Sequence, residues 1–491
     1  MKSFEYRGLW WPAGEESRKE TGILSYSDEE GIRLSIIGAL LSFDDKRQSS
    51  ASTTETIYGV SLDDECITLQ DCTLYQAVVR SSGIQTQEFS CELAYIGGYH
   101  LRSGKRDTVV VSSIIFSLNY LSRWLNIMGL SYKSTIDPIE SSSTQGASIG
   151  FTLPDPIEIS LSDATISIQL LYGFEPGQDH STLRQHSIIQ ITSENPLPLD
   201  TWLLQFVEPI QDLLTFATGH ANAITDLNVF VSKSMVNVEP DQPYHEGRPF
   251  QVIFQPVVKE AIDAQRFDPQ QKLFFYTDVK EQVGEIFRRW LALQNDPHKE
   301  TLRTVCSLFL NTSYHQDRMF LDTQFLNITQ SAELYHRTQY HETLLSKSDF
   351  KEFRDSVSQC VPEKYRIWFD EQVRFSNDAT LTQRLTHLFD SSSDVMNKLF
   401  ADRDSFVQKV KNTRNYFTHY SPDIKAKAAT DVELLVLTRA LYIMMLRLVL
   451  MELGFSAEQC VNILTNNRLF QYLQSEIGTI YEDVPPTMIQ P

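Results

Sequence analysis

At 491 residues and a formal charge of −20, the chain is too long for one ordinary core and too acidic to wear a coat of non-specific nucleic-acid contacts. Its 42% apolar and 22% charged residues exclude a disordered chain. Six cysteines scattered without a CxxC pair fit free thiols in a reducing, cytoplasmic compartment.

From the start, "MKSFEYRGLWWPAGEESRKE" offers no apolar core of a signal peptide, so secretion by that route is not expected. Short strand-like runs follow, among them "GIRLSIIG", "IYGVSL", "ECITLQDCTLYQAVV", "DTVVVSSIIF", "PIEISLSDATISIQLLYG" and "HSIIQITS". Several alternate polar and apolar residues, as half-buried antiparallel strands do. Ser- and Thr-rich patches at 47–56 and 140–148 read as exposed loops, and 200–219 has apolar residues at helical spacing. Cys66, Cys72, Cys91 and His100 have the wrong spacing for a zinc ribbon, and strand positions explain the cysteines; no metal or other cofactor is expected.

Near residue 275 the pattern turns helical. Val283, Ile286, Phe287, Trp290 and Leu291 share one helical face, and further helices are predicted at 301–312, 318–342, 350–360, 363–374, 379–390, 395–418, 431–453 and 456–474. The apolar run 434–455 is interrupted by Arg439, Arg447 and Glu452, which predicts a helix buried in a core or a subunit interface, with no membrane span. The fold class expected is therefore α+β in two parts: a β-rich, sandwich-like domain over 1–275 and an all-α bundle over 276–491.

The phosphate-loop, dinucleotide, nucleophile-elbow and zinc-protease motifs are missing from the sequence. Glu333 and His336 form a single ExxH, where a di-iron bundle needs two such motifs and two more glutamates.

The stretch 401–430 gathers Arg403, Lys409, Lys411, Arg414, Lys425 and Lys427 against three aspartates inside an acidic protein. A stripe of Met396, Leu399, Phe400, Arg403, Phe406 or Val407, and Val410 continues to Arg414 and Phe417, and a guanidinium on such a stripe implies a polar cleft or a second subunit. Ser421–Pro422 ends the helix, leaving His419 near its C-terminus. On a straight helix five residues separate two side chains by about 140°, so Arg414 and His419 converge only if the helix end unwinds or two copies share a cleft. A solvated helix end capped by a histidine is the plain alternative.

Arg414-Asn415-Tyr416-Phe417-Thr418-His419 resembles the R-x4–6-H motif of HEPN domains, in which a polar residue, often asparagine, follows the arginine. The flanking helices fall where such a domain has them, and the order of β-rich half then HEPN half resembles the ApeA-type anti-phage proteins of bacteria. The resemblance implies metal-independent RNA cleavage in abortive infection. His419 would move the 2′-hydroxyl or leaving-group proton, Arg414 would stabilise charge on the phosphate, and 2′,3′-cyclic phosphate and 5′-hydroxyl ends would result. By family analogy tRNA is the expected target, a homodimer through the HEPN domain supplies the second histidine, and a phage-derived trigger acts on the N-terminal domain. Asn415 would orient the phosphate or the arginine, or else cap the helix. Lys409 and Lys411 would attract RNA backbone, Tyr416 and Tyr420 would stack bases unless they are packing residues, and Glu333 is a candidate to approach the motif from an earlier helix. Two competing classes are a non-catalytic, ligand-sensing scaffold and a carbohydrate-acting enzyme, the latter needing a carboxylate pair that the sequence does not locate.

Overall fold

The computed structural model describes residues 3–41, 52–102, 104, 109–135, 146–238, 244–245, 247–256, 267–295, 300–314, 319–340, 343–374 and 376–480. The chain divides into two compact units, Met1–Phe267 with Phe274–Arg288, and Asp268–Leu273 with Arg289–Pro491.

In the first unit six strands close into a ring. They are β1 (Phe4–Pro12), β2 (Glu20–Ser27), β3 (Gly31–Ile37), β4 (Ser52–Ser61), β5 (Cys66–Val79) and β6 (Gln85–Cys91), paired antiparallel in the order β5-β4-β1-β2-β3-β6 and closed by β6 on β5. Alternation sets the inner face: Leu24 and Tyr26 of β2, Ile32, Leu34 and Ile36 of β3, and Phe89 of β6 are buried. Trp10 stands opposite Gly59 in register, and a Cβ on Gly59 would run into its indole; the bare glycine makes room for the largest side chain in the barrel. From β5 the sheet continues through β7 (Leu93–Gly97), Phe250–Phe254, Ile224–Val231, Val110–Leu118, Thr182–Pro198, Ala164–Glu175 and Ile157–Ser160. The predicted helical exception is a helix over Leu199–Thr218 whose turn Leu203–Val207 is widened to a π-helix just before Pro209, whose ring cannot sit against a normal turn. Of the two predicted loops, 47–51 and 140–145 lie outside the described residues. Residues 52–56 instead begin β4, and 146–148 begin the strand Gly146–Phe151.

The second unit is helical, as its periodicity predicts. At its centre lies the core helix, Asp431–Glu452. By length and composition this helix could cross a membrane, yet 72% of its apolar window is buried inside the protein. Its charged interruptions are all used internally. Arg447 makes paired bonds of 3.2 and 3.1 Å to Asp394, Glu452 accepts from Tyr335 (2.8 Å) and Gln339 (3.0 Å), and Arg439 lies 4.7 Å over the Tyr472 ring. Most of this helix therefore lies in the core of its own unit.

Two predicted helices are broken. The span 395–418 becomes Ser393–Met396 and, after a turn, the motif helix Arg403–His419, because Asp402 caps the new start by accepting from the Ser405 amide at 3.0 Å. The span 456–474 becomes Ala457–Thr465 and Arg468–Ile480. The buried Asn467 at that break donates to the Gln271 and Lys272 carbonyls and accepts from the Leu469 amide, which commits the chain to a turn.

Candidate active site

The site grows from two helices, Leu321–Tyr340 and the motif helix. The stripe of the motif helix divides in function. Phe406, Val407, Val410 and Thr413 are buried, whereas from Arg414 onward no residue of the helix is fully buried and the last two, Thr418 and His419, are exposed. Thr413 donates to the Lys409 carbonyl (2.8 Å) and accepts from the Ala429 amide (2.9 Å), fastening the segment after the helix back onto it. Phe417 meets Phe325 at 6.3 Å between centroids.

Arg414 does not continue the apolar stripe into a closed core. Its Nε donates to Glu333 Oε1 at 3.2 Å, and the two side chains are 31% and 18% exposed. Both line a cavity of about 400 Å³, with Leu326, Gln330, Leu334 and Arg337 from the Glu333 helix and Thr418 from the motif helix. The carboxylate takes the Nε edge of the guanidinium. Its two outer nitrogens make no hydrogen bond among the described residues, leaving a fork of N–H donors of the geometry that grips phosphate.

The helix stays regular through His419, which is exposed on its last residue. The unwinding that would bring His419 round to Arg414 within one chain does not occur. Tyr420 is the C-cap, in the left-handed region at φ 50°, with its amide donating to the Tyr416 carbonyl at 2.6 Å. That settles two open readings: the cap is Tyr420 and not Asn415, and His419 lies inside the helix. Asn415 is half-buried within the last two turns. Tyr420 is 63% exposed, edge-on to the half-buried Tyr416 at 5.6 Å.

The cations gathered by the sequence are not equivalent in space. Lys409 is paired with Glu433 at 3.0 Å, and Arg403 with Asp390 at 3.0 Å and Asp404 at 2.9 Å. Arg403, placed on the stripe by its spacing, is thus neutralised at the start of the helix. Lys411 is half-buried with no ion pair among the described residues, and Lys425 and Lys427 are exposed. Sequence reasoning missed Arg337 and Gln330, which join the cavity only because the Glu333 helix crosses the motif helix. Their one signal is the three- and four-residue spacing from Glu333.

In the first unit, His100 donates from Nδ1 to the Ile67 carbonyl (3.2 Å) and packs between Trp11 and Tyr58, where burial pushes its imidazole down to about 4. Cys72 and Cys91 are buried neighbours on β5 and β6, and burial pushes the Cys72 thiol up. Among the described residues no cluster of three or more His, Cys, Asp or Glu is placed to hold a metal.

The chain thus pairs a β-barrel unit with a helical unit that carries the Arg–x4–His at a helix end. Comparison bears on both halves: a family model described as ApeA N-terminal domain 1 matches residues 5–290, and one described as Apea-like HEPN matches residues 326–459. The chain belongs to the ApeA family, and at that level it is a HEPN nuclease of anti-phage defence. No curated protein and no solved structure matches the chain.

Proposed function

We propose that this protein is an endoribonuclease whose chemistry is carried by Arg414 and His419 and needs no metal. The observation that carries the reading is the half-used guanidinium of Arg414: one edge is fixed by Glu333, and the other is open to a cavity large enough for part of a nucleotide. A phosphodiester seated on the open edge has its developing charge met by paired donors. RNA brings its own nucleophile, the 2′-hydroxyl, already held beside the phosphorus. Histidine exchanges a proton near neutral pH, which suits His419 to take that proton or to give one to the 5′-oxygen. The products are a 2′,3′-cyclic phosphate and a 5′-hydroxyl.

A single chain brings one histidine to a reaction that uses a base and an acid, and the regular helix turns His419 about 140° away from Arg414. A homodimer that juxtaposes two motif helices supplies both groups to one phosphate. Asn415 then orients the phosphate, while Tyr416 and Tyr420 offer ring faces to bases, Tyr420 being the more exposed. Lys411 adds backbone attraction; Lys409 does so only after parting from Glu433. Glu333 serves as the positioning residue for Arg414. The target we propose is tRNA in the cytoplasm, released to cleavage when a phage-derived trigger engages the barrel unit.

The test incubates full-length protein with total small RNA in EDTA, beside Arg414→Ala and His419→Ala, and maps the ends formed. Cyclic-phosphate ends from the parent alone support the reading and identify the RNA. Intact RNA even in phage-infected extract would sink it in favour of a sensing scaffold.

A further inference from the structure

The cavity beside Arg414 is lined by a second arginine, which the proposed reaction at the scissile phosphate does not use. Arg337 lines it from the same helix as Glu333, four residues on, or about 6 Å along the axis. Arg337 is exposed and has no hydrogen bond or ion pair among the described residues. Its charge acts on Arg384 of Leu381–Ser391, which is 5% exposed and therefore a buried cation. The Arg384 Nε donates to the Ala379 carbonyl at 2.8 Å, and its Nη1 is a buried donor with no partner among the described residues. Burial and the neighbouring Arg337 charge push the Arg384 guanidinium down, against the pull of Glu333 and Asp378. Arg337 and Arg384 thus repel each other, and of the two carboxylates acting on Arg384, Glu333 is already bound by Arg414. An unpaired guanidinium lining a cavity offers its fork of donors to an anion.

We propose that Arg337, backed by Arg384, forms a second anion subsite in the Arg414 cavity and holds the phosphate next to the scissile one along a single RNA strand. For the identity of the anion this rests on the ribonuclease reading; the unpaired Arg337 lining the cavity stands without it. The subsite fixes the register of the strand, so that the 2′-hydroxyl to be activated belongs to the nucleotide seated between Arg337 and Arg414. Leu326 and Leu334 give that nucleotide an apolar wall, and Gln330 gives it a hydrogen-bonding edge. The arrangement favours single-stranded or looped RNA, because a strand locked in a duplex cannot enter a cavity of this size.

The test measures binding of a short oligouridylate to full-length protein carrying His419→Ala, which removes the proton-transfer group, across a series of salt concentrations. The same measurement is made with Arg337→Ala, Arg337→Lys or Lys347→Ala added. Lys347 is an exposed lysine on another helix and controls for loss of one charge anywhere on the unit. Arg337→Ala is expected to weaken binding about tenfold and to flatten the slope of log affinity against log salt by about 0.7, the loss of one phosphate contact on a single strand. Arg337→Lys is expected to keep the slope and lose part of the affinity, since an ammonium cannot fork. An Arg337→Ala slope equal to that of Lys347→Ala would overturn the subsite, whatever the cleavage assay shows. Arg337-dependent binding of RNA that the parent never cuts would instead overturn the ribonuclease reading and leave the subsite standing.

Discussion

The core helix Asp431–Glu452 and the motif helix Arg403–His419 are separated by only eleven residues. Both carry arginines within an apolar pattern. In the core helix each charge that interrupts the apolar run is used up inside the fold: Arg447 on Asp394, Glu452 on Tyr335 and Gln339, Arg439 on Tyr472. In the motif helix the early charges are used in the same way, Arg403 on Asp390 and Lys409 on Glu433, but the last turns are not. Arg414 spends one edge of its fork, and His419 and Tyr420 stand exposed. A charge in an apolar helix is therefore no mark of a site by itself. What marks a site is donor capacity left over after the fold has been satisfied.

That contrast can be broken most directly at the left-over groups. Arg414→Ala and His419→Ala are each expected to lower RNA cleavage about a thousandfold or more with the thermal transition unmoved. A variant that keeps cleaving would show that the spare donors of the motif helix are idle. The core helix should respond in the opposite sense. Asp394→Ala strands Arg447, which is 12% exposed, and should lower stability by about 2–3 kcal/mol in urea titration, after allowance for solvent at the half-exposed partner, while activity per folded molecule holds.

Thr413→Val sits at the border between the two behaviours. It orphans the buried Ala429 amide and should cost about 1–2 kcal/mol by the same titration. The smallest expected effect is the most discriminating. Glu333→Ala should lower kcat about tenfold, and Glu333→Gln should largely restore it, because an amide oxygen still accepts from Nε. If Glu333→Ala changed stability and left kcat alone, Glu333 would belong with the spent charges of the core helix.

Local pattern made much of the fold readable. Alternation in "GIRLSIIG" and the stripe Val283, Ile286, Phe287, Trp290 and Leu291 each report burial on a single element, and burial is what the structure shows there. The helix breaks were encoded too, in an Asp402 cap and the Asn466–Asn467 pair, but an apolar period running across a cap outweighs it to the eye. Partners distant in sequence were not readable. The bond from Arg414 to Glu333 spans 81 positions and that from Arg447 to Asp394 spans 53, and both depend on how two helices cross. The same blindness hid Arg337 and Arg384, whose meeting is a product of packing and of no local rule.

The fastening of Thr413 to Ala429 reaches beyond local stability. With Lys409 bound to Glu433, it ties the motif helix to the segment leading into the core helix and to that helix's first turn. In hydrogen-exchange terms the two helices should open as one cooperative unit, so amides around Arg414 inherit protection close to that of the core. On the proposed ribonuclease reading, the Arg414–His419 end would then be pre-shaped at all times, and restraint of cleavage would act by keeping RNA or a second copy away, since melting the motif would mean unfolding the domain that carries it.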